Sequence, residues 1–78
     1  MNLNQVLTPA EQEQITRRAW AGYYIWKAAW HQVHDPGSTS DRALAMYTTI
    51  GSRHGLTDAE MVDIIHQTRK EEAERGLV

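Results

Sequence analysis

There is no cysteine in this chain of 78 residues. That excludes disulfides, thiolate metal sites and cysteine nucleophiles, leaving only His, Asp and Glu as possible zinc ligands. It also fits a reducing cytosol, so a cytoplasmic location is expected. No apolar run approaches the roughly 18 residues that a membrane helix needs, and no membrane partner is expected. The opening MNLNQVLTPAEQ lacks the basic start and apolar centre of a secretory leader. Basic excess is absent too. Eight Lys and Arg stand against ten Asp and Glu, a formal charge of −2, so any contact with nucleic acid must come from a local patch. Glycine-rich phosphate loops and paired carboxylates facing a pocket are missing, and Ser38 and Ser40 beside a turn read as caps. The chain is expected not to be an enzyme and to need no cofactor.

What is present gathers in ITRRAWAGYYIWKAAWHQV, from Ile15 to Val33. This stretch holds all three tryptophans and two of the three tyrosines, without a proline or an acidic residue. At about 100° per residue, Ile15, Ala19, Gly22, Tyr23, Trp26, Ala29, Trp30 and Val33 share one helical face, which is the expected core. The other face carries Arg17, Trp20, Tyr24, Lys27 and His31, aromatic and basic residues interleaved. A helix apolar nearly all round is buried or has a second partner.

The remaining punctuation divides the chain into three helices and no strand. Thr8-Pro9-Ala10-Glu11 is a capping box with proline at the first helical position, so a first helix runs from about Pro9 to Val33 or His34. Asp35-Pro36-Gly37-Ser38 breaks it. Ser38 or Ser40 can cap a second helix, with Asp41 near its positive end. That helix should face inward with Ala43, Tyr47, Ile50, Gly51 and His54, flanked by Leu44 and Met46, and stop at Gly55. Thr57-Asp58-Ala59-Glu60 is a second capping box, with Leu56 stapling onto Met61. The third helix packs through Met61, Ile64, Ile65 and Thr68, then turns polar up to a C-cap at Gly76. The expected fold is all-α: one domain, 1–78, a three-helix bundle with an aromatic-rich first helix and a helix-turn-helix-like second half. Residues 1–7 form a flexible lead and 70–78 a solvated extension. The match between Leu7–Glu11 and Leu56–Glu60 reflects shared capping chemistry, not an internal repeat.

Three constellations carry the functional expectations. Aromatic faces stack on unpaired bases for about 1–3 kcal/mol each while nearby cations follow phosphates. Trp20 and Tyr24 with Arg17, Lys27 and His31, joined by Arg42 and Arg53, are thus candidates for contacting single-stranded DNA. Tryptophan, tyrosine and arginine are equally the anchors of protein interfaces. The same stripe therefore fits burial under a helix or across a homodimer, and Glu13 at its head suits that alternative. The run from Tyr47 to His66 has the apolar pattern of a helix-turn-helix, but Asp58, Glu60 and Asp63 would repel a duplex. His31 and His34, three apart beside Asp35, could hold zinc only with a third ligand from elsewhere in the fold, and no metal is expected.

One resemblance covers Asp35 to about Arg69. Ser38, Ser40, Asp41, Ala43, Leu44, Ala45, Gly55, Leu56, Thr57, Asp58 and Glu60 follow the order of a Ser-rich turn, an Asp-x-Ala-Leu-Ala helix and a Gly-Leu-Thr-Asp-x-Glu helix start. This resembles a helical segment of phage and plasmid primases and primase-polymerases. The resemblance implies an accessory of DNA replication or mobile-element biology that meets single-stranded DNA or a replication protein. It does not extend to a catalytic domain or to the tryptophan-rich helix.

Overall fold

The computed structural model describes residues 6–76, and within them the chain forms three α-helices. Helix α1 is Pro9–His34. Thr8 caps it: the Glu11 amide donates to Thr8 Oγ1 at 3.2 Å and the Thr8 amide donates to Glu11 Oε1 at 3.1 Å. Proline at the first helical position costs nothing there, since no intrahelical partner awaits its missing N–H. Asp35 ends the helix ahead of Pro36, donating its amide to the His31 carbonyl at 2.7 Å. Helix α2 is Ser38–Arg53, and its N-cap is Gly37 without a side-chain bond. The expected serine cap is thereby corrected. Both serines lie inside the first turn, and Ser40 Oγ donates back to the carbonyls of Asp35 and Gly37 at 3.0 Å. Gly55, at φ 90°, turns the chain in a conformation closed to most side chains. Helix α3, Asp58–Glu74, begins with the expected box between Thr57 and Glu60.

Cross-helix contacts fix the arrangement. Gln32 donates to Asp41 at 2.8 Å, Tyr24 stacks on Tyr47, and Gln14 donates to the His54 carbonyl at 2.7 Å, so α2 runs antiparallel to α1. Arg18 bonds Glu60 at 2.6 Å and Arg69 bonds Gln32 at 2.7 Å, so α3 runs parallel to it. Both helices pack along α1 and barely touch each other, in a body of 46 × 26 × 16 Å. They meet near Gly51, where Ile25, Leu56 and Met61 converge.

The buried line of α1 is Ala21, Ile25, Ala28 and Ala29, joined in the core by Leu44, Leu56 and Met61. The expected core face is therefore corrected. Ile15, Tyr23 and Trp26 are exposed, and of that set only Ala29 is fully enclosed. The physical reason is packing distance. Two helices lean on one side of α1, and methyl groups let both backbones approach where indole rings would hold them off. On α2, Leu44 and Gly51 are buried while Ala43, Tyr47, Ile50 and His54 are half-buried. Thr68 and Glu72 are both 2% exposed, so the solvated extension expected from residue 70 is corrected at Glu72, which faces α1. The C-cap of α3 is Arg75, so the cap expected at Gly76 is corrected by one residue, and Gly76, at φ 75°, follows it. The expected flexible lead falls mostly on residues 1–5, outside those described. No helix among the described residues is long and apolar enough to cross a membrane.

Candidate partner-binding face

With alanines turned inward, the aromatic rings of α1 are turned out. Trp20 is 56% exposed, Tyr23 44%, Tyr24 40% and Trp26 40%. They form a connected series. Trp20 stacks on Tyr24 with centroids 6.0 Å apart and planes 30° apart, and Tyr24 stacks on Tyr47 at 5.4 Å and 10°. Tyr23 meets Trp20 edge-on at 5.8 Å and tilts against Trp26 at 5.8 Å. Only Tyr47 in this series is half-buried, so α2 supports one end and water meets the rest. The contacts between rings hold the surface in shape, each adding about 0.5–1.5 kcal/mol beyond area burial.

A groove of about 630 Å³ opens beside this series, between the second half of α1 and the start of α2. Tyr24 and Tyr47 form one wall, Lys27 and His31 stand along it, and the Asp35–Ser40 connection closes the end. Among the residues expected to bind, Trp20, Tyr24, Lys27 and His31 are thus brought together. The arginines are not. Arg17 is tied to Glu13 one turn away. Arg42 is exposed on the first half of α2, and Arg53 lines a different depression beside Asp58. The seven candidates do not form one continuous basic track.

The carboxylates near these helices are largely spoken for. The Thr57 backbone amide, its hydroxyl and the Arg18 guanidinium hold the Glu60 carboxyl below its ordinary pKa, and Thr8 does the same for Glu11 through its amide and hydroxyl. The two histidines of α1 differ in their surroundings. His34 lies over Trp30 with centroids 3.9 Å apart and places Nε2 3.5 Å from Glu72 Oε2, whereas His31 meets the edge of Trp30. Among the described residues no three His, Asp or Glu side chains gather as a metal site.

Sequence reasoning missed Tyr23 and Trp26 as members of the outer surface, whereas Tyr47, expected to face inward, is half-buried and packs against the core. The signal that could have found the first two is the spacing of Ala21, Ala28 and Ala29 around Ile25, which is itself a helical stripe.

Comparison with family models, with curated proteins and with solved structures finds no match to this chain. The residues that carry the primase resemblance have visible local tasks. Thr57 and Glu60 cap α3, Leu44 and Leu56 fill the core, Ser40 bonds the preceding turn, and Gly55 provides the positive φ.

Proposed function

We propose that this chain is a non-catalytic helical binding module of the cytosol that docks on protein through the outward aromatic face of α1. One observation carries the reading: α1 buries its alanines and exposes Trp20, Tyr23, Tyr24 and Trp26. A surface patch of large rings on one helix marks an interaction site, and tryptophan and tyrosine are its usual anchors. Charge argues for a protein over a polyanion. Of the four Arg and Lys side chains considered, Arg17 is engaged by Glu13 and Arg53 stands by Asp58.

A second reading keeps the chain as an accessory of DNA replication or mobile-element biology that contacts single-stranded DNA. It is favoured by the Trp20–Tyr24–Tyr47 ring series with Lys27 and His31 alongside. Intrinsic fluorescence separates the two. An unlabelled oligonucleotide titrated at low salt should leave the tryptophan emission unchanged if the face is made for protein. Quenching that disappears at moderate salt and in Trp20→Ala would replace the protein reading with the nucleic-acid one, because phosphate contacts weaken steeply with salt.

A further inference from the structure

We propose that the occupant of the outward face of α1 is a second copy of this chain, paired antiparallel along α1 about a two-fold axis close to Tyr23. The proposal rests on the protein-binding reading above and names its partner.

Three features point to it. The first is area. Ile15, Trp20, Tyr23, Tyr24 and Trp26 together expose on the order of 500 Å² of side chain. A standard interface buries about 800 Å² per partner, somewhat over half of it apolar, so this stripe alone supplies the apolar share of one side. The second is shape. About Tyr23, antiparallel pairing sets Tyr23 against its own copy and brings Trp20 level with the second copy's Trp26 on the other flank of the seam, with Ala19 level with its Lys27. A tryptophan thus closes each flank beside the axis, and a small residue leaves room at the level of a long one. An isologous contact requires this self-complementarity.

The third is charge along the helix. Glu13 lies at the N-terminal end of the face, Lys27 and His31 lie toward the C-terminal end, and no acidic residue falls between Glu13 and Asp35. Because Glu13 is already paired with Arg17, antiparallel pairing gains by keeping the two Lys27 side chains apart and by opposing the two helix dipoles. Parallel pairing would set Lys27 against Lys27.

The absence of cysteine makes the geometry testable in the whole chain. Tyr23→Cys places a single thiol at the two-fold axis, where it meets its own copy. Mild oxidation should give a disulfide-linked dimer. Val62→Cys, exposed on α3, should stay unlinked. The unmodified chain, followed by sedimentation equilibrium from micromolar to millimolar concentration, should approach twice 8.9 kDa. Trp20→Ala should weaken that association tenfold or more while the circular dichroism remains helical. A mass of one chain throughout would overturn the proposal. So would a dimer that cross-links through Val62→Cys and not through Tyr23→Cys. A monomer that also ignores the oligonucleotide removes the second copy but leaves a different protein partner, whereas quenching by the oligonucleotide removes the protein reading itself.

Discussion

His34 Nε2 lies 3.5 Å from Glu72 Oε2, tying the last turn of α1 to the last turns of α3. The Glu72 side chain is 3% exposed, and among the described residues its Oε2 has no hydrogen bond and its Oε1 accepts only from the exposed Arg75 at 3.3 Å. An enclosed carboxylate with so few partners is held at a cost. Removing the histidine should raise that cost, so His34→Ala is expected to destabilise the chain by about 1–3 kcal/mol. Glu72→Met, of similar volume and without charge, should be neutral or stabilising. Urea unfolding at neutral pH measures both, and a Glu72→Met variant weaker than His34→Ala would contradict this account.

The two helical glycines should respond to alanine in opposite directions. A Cβ at Gly51 would fall 2.9 Å from Ile25 Cδ1 and 3.1 Å from both Leu56 Cδ1 and Met61 Sδ, all enclosed side chains. Overpacking there outweighs the gain in helix propensity, and Gly51→Ala should lose about 1–2 kcal/mol. At Gly22 the nearest atom is Ile64 Cδ1 at 3.6 Å, an ordinary contact. Gly22→Ala should therefore gain about 0.5–1 kcal/mol. Paired thermal melts give the two signs directly.

Acid should loosen the starts of α1 and α3 together. Glu11 and Glu60 titrate below the ordinary glutamate value, mainly because the amides of Thr8 and Thr57 donate to them. A depressed folded-state pKa means that the unfolded chain takes up the proton first. The stabilisation is thus complete above the ordinary glutamate pKa of about 4.3 and lost as pH falls through the lower folded values. Thr57→Ala should cost about 1 kcal/mol at neutral pH. Glu60→Gln, which removes the titrating group and leaves the Thr57 amide in place, should flatten the acid dependence of unfolding, which a pH series of urea midpoints would show.

Trp20 and Tyr24 are adjacent on the face but differ in what holds them. Trp20 leans only on rings of its own helix, stacked on Tyr24 and against the edge of Tyr23, while Tyr24 is clamped against Tyr47 of α2. In dilute solution, where association is minimal, Trp20→Ala should shift stability by no more than about 0.5 kcal/mol. Tyr24→Ala should cost about 1–2 kcal/mol. Equal losses would mean that Trp20 belongs to the monomer core.

Local chemistry made the ends of α1 and α3 legible in the sequence. Thr8, Pro9 and Glu11 announce one start, Thr57 and Glu60 another, and Asp35-Pro36 and Gly55 mark the breaks, because each acts on its own neighbours. The rotation of α1 was not legible in the same way. Residue hydrophobicity draws Tyr23, Trp26 and Trp30 inward, but the winning term is how closely two neighbouring backbones can approach, and that selects Ala21, Ala28 and Ala29 around Ile25. Glu72 escaped for a related reason. A charged residue in a polar run reads as solvated until the position of His34, 38 residues earlier, is known. At the candidate site, Trp20, Tyr24, Lys27 and His31 were legible because they lie on one helix. Arg42 and Arg53 were grouped with them by charge alone, and charge carries no address in space.

With α2 and α3 each leaning on α1 and hardly on each other, the native state resembles two zippers sharing one rail. The hairpin of α1 and α2 closes across a three-residue link, so it has the lower entropic barrier and should persist when α3 swings away. Amide exchange would then divide the molecule, with α3 trading its protons through a partial opening and the α1–α2 hairpin only through complete unfolding. Such an excursion lays bare Ile25, Leu56 and Met61, giving a protease its first cut within or just before α3.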